Sequence, residues 1–208
     1  MTWEAVYARL GDTNMNETDP PKAETQCGRG TAKEREENAR KARETADLLH
    51  PGHQWKKVED GIFLSPCRAI GKKSNYKDEL RNAQILRDFG STVYMAPEGS
   101  RKKGKKHDAI VDGQVFEFKN IGGNASTLAT MFLRSRQQAP NVFLNLENSP
   151  LSKREALSAL YGARNKPETP DRRGYAHHNR FQGGRIVLKI REQSDLIHID
   201  VDDFEVPV

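Results

Sequence analysis

The residues that decide the fold are His107–Lys119, HDAIVDGQVFEFK. Two apolar runs flank Asp112-Gly113, and an Asp-Gly pair between alternating hydrophobic residues is the strongest short-range signal for a β-hairpin. With a two-residue turn, Val111 faces Gln114, Ile110 faces Val115 and Asp108 faces Glu117. Residues directly opposite share a face of the ladder, with Cβ atoms about 4.5–5.5 Å apart. Lys119 follows two residues beyond Glu117, on that same face. Ala109, Val111, Phe116 and Phe118 take the other face, which reads as core. Two carboxylates and an ammonium therefore converge on one side of two otherwise apolar strands. Like charges opposed across a ladder destabilise it. A divalent cation held by hard oxygen ligands, such as Mg²⁺, relieves that repulsion. The alternative is an exposed edge hairpin in which Lys119 simply pairs with Glu117 or Asp108.

Upstream, YKDELRNAQILRDF (76–89) spaces Leu80, Ala83, Leu86 and Phe89 as a helix, with Gly90 as its stop. Glu79 lies on the margin of the inward face, where an acid leans over the sheet towards Asp108 and Glu117; Asp78 competes with it, and either could instead be a first-turn acid favoured by the helix dipole. STVYMA (91–96) reads as a strand. Downstream, ASTLATMFLRSRQQ (125–138) reads as an amphipathic helix with Leu128, Met131 and Phe132 on one face, and Gln138 is placed on its apolar side. NVFLNL (141–146) predicts a buried strand, and SPLSKREALSALYGA (149–163) a helix capped by Ser149. RIVLKI and LIHIDV complete the pattern as two strands. The order α-β-β-β-α-β-α-β-β predicts an α+β fold, a mixed central sheet flanked by helices.

The first 70 residues read as an appendage of linker, charged helix and short hairpin, with residues 71–208 as the main domain. Residues 11–30 are polar and carry Asp19-Pro20-Pro21, as linkers do. Thr31-Ala-Lys-Glu34 has the spacing of a capping box and opens a helix that stops before Pro51-Gly52. Asp60-Gly61 between two short strand-like runs predicts a second hairpin. Of 208 residues, 34 are basic and 29 acidic, a formal charge of +5. Residues 1–70 hold 11 basic and 12 acidic residues, so the whole excess lies beyond them. Arg101, Lys102, Lys103, Lys105 and Lys106 form one dense run; Arg164, Lys166, Arg172, Arg173, Arg180 and Arg185 form a looser set, and Arg134 and Arg136 lie between. Such clusters neutralise phosphates and release counterions, the driving force of sequence-independent nucleic-acid binding. His177-His178 could serve as acid or base in a reaction without metal, although adjacent histidines in a polar loop are ordinarily just loop. No run approaches the ~18 apolar residues of a membrane helix, and the N-terminus lacks the basic-then-apolar order of a secretory signal. Cys27 and Cys67 are too few for a disulfide framework and read as free thiols.

The constellation resembles the PD-(D/E)XK nuclease superfamily: an acid on the first helix (Glu79), an Asp (Asp108), then Glu117-Phe118-Lys119 on the following strand. His107 stands where the superfamily usually has Pro. A narrower likeness follows from Glu79-x-x-x-Ala83-x-x-Leu86-x-x-x-Gly90, Asp108-x-Ile110-x-Asp112-Gly113, Phe116-Glu117-x-Lys119 and Gln138-Ala139-Pro140-Asn141-Val142. Over residues 76–205 the chain is similar to the C-terminal tRNase toxin domains of contact-dependent growth inhibition proteins. The resemblance implies a nuclease-like fold and cleavage of tRNA in the bacterial cytoplasm, assisted by Mg²⁺ or another divalent cation. It implies catalytic roles for Glu79, Asp108, Glu117 and Lys119, the three acids being the metal ligands, and a cognate immunity protein as partner. A DNA endonuclease of restriction or repair type, and a non-catalytic nucleic-acid-binding protein with a degenerate nuclease fold, are the alternatives.

Overall fold

The computed structural model describes residues 24–26, 30–68, 75–97, 107–165, 183–191 and 193–204. The basic run 101–106, Arg172, Arg173, His177 and His178 lie outside the described residues. The elements are β1 (Glu24–Gln26), α1 (Ala32–Leu49), β2 (Lys56–Glu59), β3 (Ile62–Leu64), α2 (Tyr76–Asp88), β4 (Val93–Met95), β5 (Ala109–Val111), β6 (Gln114–Asn120), α3 (Ala125–Ser135), β7 (Asn141–Leu146), α4 (Lys153–Arg164), β8 (Arg185–Ile190) and β9 (Ile197–Asp200). From Tyr76 onward this is the order expected.

Among the described residues all the strands join one nine-stranded sheet, ordered β1-β9-β8-β7-β6-β5-β4-β3-β2. It is mixed. β6, β7 and β8 run parallel, joined by the crossover helices α3 and α4, and β3 runs parallel to β4; the remaining pairs are antiparallel. The boundary expected at residue 70 falls between β3 and β4, which are neighbours in this sheet. The β5–β6 register is the one that Asp112-Gly113 dictates, with Val111 opposite Gln114 and Ala109 opposite Phe116. Both turn residues have positive φ, 50° and 83°, as a two-residue hairpin turn requires.

Helices cover both faces. Ala83, Ile85 and Leu86 of α2 pack on Ala109, Val111, Phe116, Phe118 and Phe143. On the opposite face, α3 and α4 pack through Leu128, Phe132, Leu157 and Leu160 on Val142, Leu144, Ile186 and Leu188. Ala42 and Ala46 bring α1 down beside Tyr94 and Ile110 of that same face, while its remaining surface carries solvated ion pairs such as Arg40 with Glu37 and Glu44. α1 opens with the expected capping box at Thr31 and Glu34. In α4 the cap differs: Ser152 is the N-cap, with Glu155 closing the box, because the Ser149 hydroxyl is buried and donates to the Gly123 carbonyl instead.

Candidate active site

β6 outruns β5, and the ladder opens at Asp108. The Asp108 carboxylate fills the gap by accepting the Phe118 N–H at 2.8 Å, while its own carbonyl accepts the Ala96 N–H at 2.9 Å. A cleft of about 220 Å³ lies at this end of the sheet. Asn75, Asp78, Glu79 and Asn82 line it from the first two turns of α2, and Asp108, Lys119 and Asn120 line it from the hairpin. Its floor is braced by amides: Asn145 donates to Asn82 at 3.0 Å, and Asn145 also accepts the Glu147 N–H at 3.0 Å.

Glu117 stands on the face of the sheet opposite α2, only 2% exposed. Its Oε1 is ion-paired with the Lys119 ammonium, whereas Oε2 is buried without a hydrogen-bond partner. Burial foremost, then the Asp108 charge, pushes its carboxyl up to about 7, with Lys119 opposing. The strand tolerates this. Phe116 and Phe118 of β6 are both buried and contribute about 1.5–3 kcal/mol each, which offsets the cost of holding the Glu117 carboxyl out of water. The expected exposed-edge alternative does not hold, since β5 and β6 are interior strands. The Lys119–Glu117 pairing in that alternative does occur, in a buried setting.

Glu79 comes from the other face, since α2 packs on Phe116 and Phe118 rather than over Glu117. Its carboxylate is ion-paired with Arg68, whose side chain is 2% exposed. The same guanidinium donates to the carbonyls of Ala96 and Asp108. Arg68 was not visible as a site residue in the sequence, because it follows β3 and reaches the cleft only through the β3–β4 pairing. Asn75, Asn82 and Asn120 were missed for a simpler reason: asparagines at helix starts and strand ends carry no distinguishing spacing. His107 turns away to His50, with Nε2 atoms 3.4 Å apart and the rings in contact; burial lowers both imidazoles. Among the described residues no group of three or more His, Cys, Asp or Glu side chains could hold a metal ion. Of the carboxylates, Asp78, Glu79 and Asp108 line the cleft, Glu79 being engaged by Arg68, while Glu117 is buried beside Lys119.

The outlying candidates divide. Arg134 is exposed. Arg136 is buried and donates to the Gly183 carbonyl at 2.7 Å, so it holds the turn before β8 rather than facing solvent. Gln138 is not on a helix face, because α3 ends at Ser135 and Gln138 sits half-buried in the turn beyond, its N–H bonded to the Ser135 carbonyl. Arg164 is likewise occupied, donating to the carbonyls of Phe204 and Asp202. No helix among the described residues is long and apolar enough to cross a membrane.

No protein-family model matches this sequence, and no curated protein does. Among solved structures, the chain is similar to a CdiA-CT/CdiI toxin and immunity complex from Burkholderia pseudomallei, with 23% identity and a TM-score of 0.43 over 64% of this chain and 96% of that one.

Proposed function

We propose that the chain is a metal-dependent endonuclease, a toxin that cleaves tRNA in the bacterial cytoplasm and is neutralised by a cognate immunity protein. The observation that carries the reading is that Asp108 and Lys119 line the cleft where the hairpin opens, with the buried Glu117 ion-paired to Lys119. The choice of tRNA and of an immunity partner rests on the motif likeness over residues 76–205.

The residues fit a divalent cation. Glu117 has a buried oxygen without a hydrogen-bond partner, and a cation there would offset what holds its carboxyl up, burial first and the Asp108 charge second. Mg²⁺ commonly takes one or two carboxylates, completing its shell with water and substrate phosphate, so Asp108 and Glu117 suffice. When bound, such an ion polarises a phosphate and lowers the pKa of a coordinated water. Lys119 favours the ionised form of Glu117 and presents an ammonium to the cleft, suited to charge developing on the phosphate. Arg134 and the basic residues 101–106, 172 and 173 would attract a phosphate backbone by charge alone.

Carboxylate–lysine chemistry acts on either nucleic acid, so the substrate must be tested directly. Purified protein incubated with tRNA and with plasmid DNA in Mg²⁺ should cut the tRNA, and EDTA should stop it. Cleavage of plasmid with intact tRNA would instead identify a DNA endonuclease. Salt-sensitive binding without cutting under any divalent metal would indicate a degenerate nuclease fold.

A further inference from the structure

Within that reading, we propose that Arg68 is a positioning residue of the cleft, and that Glu79 acts through Arg68 rather than on the metal. Three segments meet at one buried guanidinium: Glu79 of α2, the Ala96 carbonyl at the end of β4, and the Asp108 carbonyl where β5 begins. The Arg68 side chain is 2% exposed and that of Glu79 13%. A carboxylate so placed needs a cation, and here the protein supplies a permanent one. Arginine suits the task, because its planar fork serves a carboxylate and carbonyls at once and it cannot be deprotonated.

The consequence falls on Asp108. Its main chain is gripped from two sides, since its carbonyl accepts from Arg68 at 3.3 Å and from the Ala96 N–H at 2.9 Å. Its side chain is gripped from a third, by the Phe118 N–H. One carboxylate oxygen is thus fixed on the backbone while the residue stays at the rim of the cleft. Arg68 sets where Asp108 stands, Glu79 holds Arg68 in place, and Asp108 with Glu117 presents the carboxylates. Groups that orient a ligand in this way typically influence metal affinity or activity by about 10–100-fold.

The test uses the full chain in a double-mutant cycle: wild type, Arg68→Gln, Glu79→Gln and the pair together, with Asp108→Asn as reference. Removing one member of a buried ion pair strands the other, so a single variant can lose its fold. The double variant removes both charges and is therefore the decisive one, with Arg68→Lys as a conservative control. MgCl2 alone is titrated calorimetrically into each folded variant, and tRNA cleavage is measured separately as kcat and KM. The expected result is strong coupling: the double variant weakens Mg²⁺ binding by no more than Arg68→Gln does, about 10-fold, while Asp108→Asn weakens it further. Arg68→Lys should recover part of the loss, and KM for tRNA should barely move. If only the double variant folds, a Mg²⁺ affinity as weak as that of Asp108→Asn overturns the proposal. A further loss on adding Glu79→Gln to Arg68→Gln would make Glu79 a ligand in its own right and would overturn it too, as would a wild type that takes up no Mg²⁺. A wild type that binds Mg²⁺ with the expected coupling yet cuts no nucleic acid would refute the nuclease reading while leaving the positioning role standing.

Discussion

His198 shows how a single side chain sets a pH dependence. It lies on β9 opposite Val187, with its Nε2 buried and without a hydrogen-bond partner. Burial first, then Arg185, lowers its imidazole to about 4 from an ordinary 6.5, with Asp200 opposing. Between those values the unfolded chain binds a proton that the folded chain refuses, so stability falls as the pH falls through this window. At 1.36 kcal/mol per pH unit the contribution is at most about 3 kcal/mol. His198→Gln should therefore melt with a flatter pH profile than wild type between pH 6.5 and 4, and parallel profiles would show that His198 is not responsible. At this same scale the sequence was partly legible. Asp108, Glu117 and Lys119 declared themselves through fixed two-residue alternation about a known turn. Arg68 did not, because this buried arginine reaches partners 11, 28 and 40 residues away in sequence and no local pattern encodes them. Arg136 misled for the converse reason: it looks basic in the sequence, yet its charge is spent on a turn carbonyl.

Among the elements, the hairpin is the one whose geometry transmits furthest. Gly113 sits at φ 83° against α1, where a Cβ would lie 3.0 Å from the Lys41 Cβ and 3.3 Å from its carbonyl carbon and oxygen. Gly113→Ala thus combines a left-handed backbone with a helix that cannot retreat, and should cost about 1–3 kcal/mol. For a chain of this size that is a fall of roughly 3–10 °C in Tm, measurable by circular dichroism; an unchanged Tm would mean that α1 is not seated on the turn. Capping boxes and Asp-Gly turns were readable because they are local bargains between neighbouring residues. The end of α3 was not: Ser-Arg-Gln-Gln continues well as a helix on propensity, but the Ser135 hydroxyl donates back to the Met131 carbonyl and the chain turns there to feed β7. Which face α2 would cover was equally hidden, since its stripe fixes an inward side without naming the side of the sheet.

For the whole molecule, the segment before residue 70 is the informative one. Read alone it resembles an appendage, being polar and alanine-rich with almost no core of its own. In the fold it supplies β2 and β3 at one edge of the sheet, β1 at the other, the cover over Tyr94 and Ile110, and the arginine beside the cleft. A chain reduced to residues 71–208 should accordingly lose its cooperative melting transition, whereas an intact transition would make the segment dispensable. The basic excess beyond residue 70 belongs to the same scale, and under the proposed nuclease function it would attract a phosphate backbone by charge. The most direct measurement is single-turnover cleavage of tRNA in Mg²⁺ by wild type, Lys119→Ala and Glu117→Gln, each checked for native melting. The expected result is cleavage by wild type and a loss of at least about 100-fold in both variants, as removal of one charge-stabilising group commonly produces. Cleavage by both variants at the wild-type rate would contradict the site.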